Sequence, residues 1–230
     1  MVLHPVETQE TIGFILVSLV YLPTIMDTKS KILQVADQQY HKYGIRSVSM
    51  DDIARELGMS KKTIYQFYKD KNELVKSVAQ LKIDQEKQEF NQILKVSKNA
   101  IDELFQLSKC LRNNLHEMNP SLLFDLQKFH SESWELWVDF KNDFIKNAVL
   151  NVIERGKKDG CFRPEINAEI MAIYRIETIQ LAFDQTLFPK EKFELASLQL
   201  ELFDHFVFGL LSTEGRKQYE QLRNSNTNEQ

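Results

Sequence analysis

The chain has 230 residues, with 29 Lys/Arg against 33 Asp/Glu, and its net charge of −4 argues against a protein that coats nucleic acid indiscriminately. Seven Gly and five Pro are few for this length, which starves turns and strands and favours an all-α fold of long helices. Cys110 and Cys161 lie far apart, with no C-x-x-C pair and no His at zinc-finger spacing, which speaks against a metal knuckle or a disulfide framework and fits a reducing cytoplasm.

In chain order, the first feature is an almost uncharged run from Ile12 to Ile25. It is shorter than the roughly 20 residues of a spanning helix, contains Pro23 and follows no Lys or Arg, so neither a signal peptide nor an anchor is expected. Residues 1–25 are read as an unstructured or mis-assigned extension, with Met26 the expected true start.

Ile32, Val35, Ala36, Tyr40 and Tyr43 recur at steps of three and four, which predicts a first helix over about 28–43 stopped by Gly44. Ser49 then precedes M-D-D-I-A-R-E-L, where its hydroxyl and the first-turn acids can satisfy free amides. Gly58 ends this short helix, and Ser60 can cap again before K-K-T-I-Y-Q-F-Y. Two short helices parted by G-M-S form a helix-turn-helix over 49–68, with Ala54 small at the close approach and Ile53, Leu57 and Ile64 pointing inward. Asp70 caps a long helix from Lys71 to about 96.

Further helices are expected at about 100–117, 120–130, 132–158, 166–186 and 190–212. They are separated by Asn119-Pro120, Gly156 to Gly160, Arg163-Pro164 and Phe188-Pro189. About nine helices result, arranged as a three-helix N-terminal domain over 26–72, a C-terminal helical bundle over 73–214 and a tail over 215–230, frayed at N-S-N-T-N-E-Q.

Charge is unevenly spread along these elements. Met26 to Lys76 holds ten basic and seven acidic residues, a balance of +3, whereas the chain from Ser77 onward carries −5. Phosphate contacts are therefore sought at the N-terminal end. A short helix lays only its first turns against base edges, so Lys61, Lys62, Thr63 and Gln66 are candidate readers, Lys suiting guanine and Gln adenine. Tyr65 offers a hydroxyl beyond an apolar body, and Lys71 sits at a helix start where amides also face anions. The bland alternative makes these lysines a solvated face and Tyr65 a core aromatic.

Ala36, Tyr40, Gly44, Val48-Ser49, Asp52-Ile53-Ala54, Leu57-Gly58-Met59-Ser60-Lys61, Thr63-Ile64-Tyr65, Phe67-Tyr68, Lys71 and Leu74 together resemble the TetR/AcrR regulators over about Lys31 to Leu74. Lys62 is bulkier than the Gly many members carry there, and Phe67-Tyr68 departs from the commoner aromatic pairing, differences that bear on operator sequence. The resemblance implies that Thr63 to Tyr68 lie on a recognition helix in the major groove, with Ser49, Tyr65 and Lys71 on phosphates. It also implies a cytoplasmic, nucleoid-associated homodimeric repressor on a double-stranded inverted-repeat operator, with a small-molecule effector.

Two features of the C-terminal half bear on that implication. The last two expected helices carry more than one apolar stripe, so Leu195, Leu198, Leu202, Phe203, Phe206 and Leu210 are candidates for a two-fold interface between copies. An aromatic-rich stretch suggests a site for a small apolar or aromatic ligand, with Phe124, His130, Trp134, Trp137, Tyr174 and Phe183 as candidates. No phosphate-binding loop, H-E-x-x-H or G-x-S-x-G occurs, so neither catalysis, a cofactor nor a metal is expected. The competing readings are a helical adaptor, which would not need Lys61, Lys62 and Lys71, a ligand-independent regulator, and a membrane-anchored sensor built on residues 12–25.

Overall fold

The computed structural model describes residues 27–116 and 118–227, so the 1–25 extension lies outside the described residues. α1 (Thr28–Tyr43) starts where the Asp27 carboxylate accepts the Ser30 amide at 2.7 Å, and it buries Ile32, Ala36 and Tyr40 along one stripe. Gly44 ends it at φ 81°. A Cβ there would lie 2.8 Å from Ser121 Oγ, so this position demands glycine for both its backbone and its neighbour.

α2 (Met50–Glu56) opens with a reciprocal cap: Ser49 Oγ accepts the Asp52 amide, and the Asp52 carboxylate accepts the Ser49 amide at 2.9 Å. Gly58, at φ 63°, turns the chain into α3 (Lys61–Tyr65), capped by Ser60 through the Thr63 amide. Ile53, Ala54 and Ile64 close the angle between α2 and α3 from inside. The expected extension of α3 to residue 68 is not seen. Gln66 and Phe67 form a turn because Tyr68 must leave the helical path to reach the interior beside α1, where its hydroxyl donates to the Lys29 carbonyl at 3.5 Å.

α4 (Lys71–Val96) is capped by Asp70 and, at 26 residues, runs about 39 Å. It carries the chain from this head into the body, formed by α5 (Ala100–Leu115), α6 (Leu122–Phe129), α7 (Ser131–Asp139), α8 (Lys146–Lys158), α9 (Ala168–Leu181), α10 (Leu195–Leu210) and α11 (Thr213–Thr227). A π-helical turn over Phe140–Ile145 joins α7 to α8 without a break, as the expected 132–158 helix requires. Counting that rod once gives ten helices among the described residues. The only β pairing in them is an isolated Phe162–Leu211 bridge.

α9 and α10 are shorter than expected because the connection between them is itself hydrogen-bonded. Asp184 accepts from the Thr186 amide and hydroxyl, Pro189 accepts the Lys192 and Phe193 amides, and Glu194 caps α10 at Ser197. The larger correction concerns residues 215–230, expected as a tail. Through Thr227 they form α11, which packs on α5 and buries Tyr219 edge-on to Phe105 and Phe208. Gly215 permits this, since a Cβ there would collide with the Cys161 carbonyl oxygen.

The core forms two clusters. One runs from α1–α4 into Leu115, Leu123, Leu126, Phe183, Leu195 and Ala196, so it crosses the expected boundary at residue 72. The other joins α5, α8, α9, α10 and α11 around Ile101, Ile153, Phe162, Phe206 and Leu210. No helix among the described residues is long and apolar enough to cross a membrane.

Candidate nucleic-acid interface and adjoining cavity

α3 presents one polar face. Its only buried residue is Ile64, while Lys61, Lys62, Tyr65 and the capping Gln66 are exposed and Thr63 is half-buried. Tyr65 is therefore no core aromatic. Lys62 has no ion-pair partner among the described residues, whereas the Lys61 ammonium bonds to Asp51 at 2.7 Å, which raises its pKa and ties α3 to α2. Thr63 shares its hydroxyl with Ser60 at 2.9 Å. Lys62, Tyr65 and Gln66 are thus the exposed members of the expected reading set that no salt bridge among the described residues engages.

Two expected phosphate contacts are occupied within the chain. The Ser49 hydroxyl sits 2.6 Å from Asp52 Oδ2 and serves the cap of α2, and these hydrogen bonds lower the Asp52 pKa. The Lys71 ammonium turns inward, 2.6 Å from both the Ile45 and Val48 carbonyl oxygens and 5.9 Å from the centre of the Tyr40 ring. Burial lowers its pKa. The expectation of a Lys71 phosphate contact is corrected accordingly: the side chain braces the α1–α2 loop, because its position at the start of α4 lies beneath that loop's Ile45 and Val48 carbonyls.

Several bonds hold this head against the body. The Asn119 amide donates to the His41 carbonyl at 2.7 Å, and the Arg46 amide donates to the buried Asp125 carboxylate at 3.1 Å. Lys76 pairs with Glu132 at 2.7 Å, and His130 Nδ1 lies 2.8 Å from the Asn72 side-chain oxygen. The α5–α7 segment is thereby fastened to α1 and to the first turns of α4.

Between head and body lies a cavity of about 660 Å³, walled by α1, α4, α5, α6, α7, α9 and α10. Of the six expected ligand residues, Trp137 and Phe183 line it. The other four do not. Phe124 and Tyr174 are exposed, Trp134 packs into the first core cluster, and His130 is engaged by Asn72, with burial lowering its pKa. Sequence reasoning missed Tyr40, Glu86, Glu89, Asn114 and Gln199, which also line the cavity. Their signal is faint, because polar residues on a long helix read as a solvated face until other helices cover it.

The expected interface between copies is also redrawn. Leu195, Phe203, Phe206 and Leu210 are buried within their own chain, and the buried Arg175 guanidinium lies 5.0 Å from the Phe203 ring centre and 5.9 Å from that of Phe206. Leu198 and Leu202 are half-buried against the first core cluster. Of the large apolar side chains on α9 and α10, the exposed ones lie instead on α9, at Ile170, Ile173, Tyr174 and Leu181. A helix with several apolar stripes needs cover on several sides, and here its own chain supplies most of it.

Comparison with known proteins places these observations. Residues 32–78 match the family of bacterial regulatory proteins named tetR. The chain is 28% identical over 172 residues to the uncharacterized HTH-type transcriptional regulator YvaF of Bacillus subtilis, a match covering 73% of this chain and 88% of the relative. Its fold resembles that of a TetR-family transcriptional regulator from Agrobacterium tumefaciens, with a TM-score of 0.67, 15% identity and coverage of 80% of this chain and 97% of the other. It also resembles the transcriptional regulator FadR from Bacillus subtilis in complex with stearoyl-CoA, with a TM-score of 0.59, 17% identity and coverage of 78% and 98%. The capped helix-turn-helix thus lies within the segment that matches the tetR family of bacterial regulatory proteins, and the helical body shares the fold of TetR-family regulators.

Proposed function

We infer that the chain is a DNA-binding transcriptional regulator that acts as a homodimer on an inverted-repeat operator and releases it when a small molecule fills the cavity. The single observation that carries the DNA-binding reading is the exposed row of Lys62, Tyr65 and Gln66 on a helix whose partner is locked by reciprocal capping. Lys62 and Gln66 suit base edges, Thr63 stands at the margin of the same face, and the Tyr65 hydroxyl suits a phosphate. The open α9 face supports pairing of two copies, which would set two recognition helices about 34–36 Å apart.

Release follows from the position of the cavity. Asp37, Tyr40 and His41 of α1 form one wall, and α4–α7, α9 and α10 form the rest, so a ligand presses on the joint that fixes the tilt of the head. A ligand that favours the other tilt by about 1.4 kcal/mol lowers operator affinity tenfold. FadR, a protein of the same fold, is a regulator seen with a bound small molecule, and its precedent supports this part of the reading.

Genome-wide DNA pull-down followed by binding to the recovered duplex tests the proposal. Lys62→Ala and Gln66→Ala are expected to relax preference at individual base pairs, each costing about 1–3 kcal/mol on the preferred site. Tyr65→Phe is expected to weaken all sites alike. Equal binding by all three variants and the wild type would remove α3 as the reading element.

A further inference from the structure

The cavity concentrates unsatisfied polarity. Five buried side-chain polar atoms have no partner among the described residues, and three of them belong to residues lining this space: Tyr40 Oη, Trp137 Nε1 and Gln199 Oε1. Tyr40 and Gln199 are each 1% exposed. The Gln199 amide nitrogen is already committed to the Ile179 carbonyl at 2.8 Å, which leaves its oxygen as the free end. Folded chains rarely bury such atoms unpaired unless water or a ligand completes them.

A second feature of the same space is charged. Glu86 and Glu89 stand one turn apart on α4, both accessible, and neither forms a salt bridge among the described residues. Their donors are neutral: Asn114 Nδ2 lies 2.8 Å from Glu89 and 3.4 Å from Glu86, and the Cys110 thiol lies 3.2 Å from Glu89. The wall's lysines are engaged elsewhere, Lys82 with Asp37 at 3.1 Å and Lys42 over the Tyr43 ring at 5.5 Å. Surrounding protein and the charge of Glu89 hold the Glu86 carboxyl above its usual range, against the opposing pull of the Lys82 charge and the Asn114 hydrogen bond. Trp137, Phe140 and Phe183 supply an apolar surface elsewhere in the cavity.

We propose that this cavity takes an amphiphilic organic cation, with its ammonium-type head at Glu86 and Glu89, its apolar body along Trp137, Phe140 and Phe183, and its polar substituents at Tyr40 and Gln199. An anion would meet two carboxylates at this end, and a neutral hydrocarbon would leave them without counter-charge. An aromatic wall also attracts cations through the negative face of its rings. The inference deepens the ligand-responsive reading and depends on it for the regulatory consequence, though not for binding itself.

The experiment is calorimetric titration of the full chain with decyltrimethylammonium, decanoate and decanol, which share a tail and differ in charge. Anisotropy of the recovered operator is followed in parallel. Decyltrimethylammonium is expected to bind at least tenfold tighter than decanoate or decanol. Glu86→Gln with Glu89→Gln is expected to erase that preference and leave decanol binding unchanged. Glu86→Lys, at an accessible position that spares the core, is expected to shift preference toward decanoate.

Decanoate or decanol binding as tightly as the cation, a double variant that keeps the preference, or no binding by any probe overturns the proposal. Cation binding without operator release upholds the site and refutes the inducer reading. Operator release by decanoate alone does the reverse.

Discussion

Lys71 shows how far one side chain can depart from the role its position suggests. Its ammonium satisfies two carbonyls of the α1–α2 loop at 2.6 Å, so removing it strips the Val48 carbonyl of its donor and leaves the Ile45 carbonyl only the Val48 amide at 3.4 Å. Lys71→Met is expected to lower the stability of the chain by about 1–3 kcal/mol, measured by denaturant unfolding, while leaving the salt dependence of DNA binding unchanged. A flattened salt slope with unaltered stability would return Lys71 to the phosphates.

His130 gives a second prediction at this scale. Burial, and then the nearby Lys71 charge, depress its pKa, so the folded chain disfavours the charged ring more than the unfolded chain does. The unfolded chain takes up a proton near the usual value of about 6.5, so this contribution is present above that pH and is lost as pH falls through and below it. Wild type is expected to lose more of its melting temperature between pH 7.5 and 5.5 than His130→Gln does. Parallel curves would show that the ring does not titrate with folding.

At the scale of elements, local chemistry decided what could be read in advance. α1, α2 and α4 were legible to within a residue, since an apolar stripe marks α1, Ser49 and Asp70 cap the other two, and Gly44 and Gly58 stop the first two. α11 was not legible, because its helix depends on a distant partner: Tyr219 is buried against Phe105 and Phe208, and Gly215 rests against the carbonyl of Cys161. Gly215→Ala, a favourable change in an isolated helix, is therefore expected to destabilise the chain by about 1–3 kcal/mol through the clash. A stabilised variant in thermal melts would mean that α11 is not docked. The accessible face of α3 was legible from its spacing, whereas most of the cavity was not, because its walls come from seven helices brought together only by tertiary packing.

At the scale of the whole molecule, the first core cluster runs unbroken from the head into the body, and the Arg46–Asp125, Asn119–His41 and Lys76–Glu132 contacts pin the two together. In the proposed mechanism this joint transmits tilt, which a ligand in the adjoining cavity exploits. Pairing of two heads requires a self-associating surface, for which the open Ile170, Ile173, Tyr174 and Leu181 face of α9 is the candidate. Ile173→Asp is expected to leave the helical content intact and shift the species seen by sedimentation from dimer to monomer. Sedimentation of the chain with a labelled duplex recovered from the genome tests the central claim most directly. The account predicts two protomers per inverted repeat, with binding lost in the combined Lys62→Ala, Tyr65→Ala variant. A chain that stays single and leaves every duplex free at low salt would contradict it.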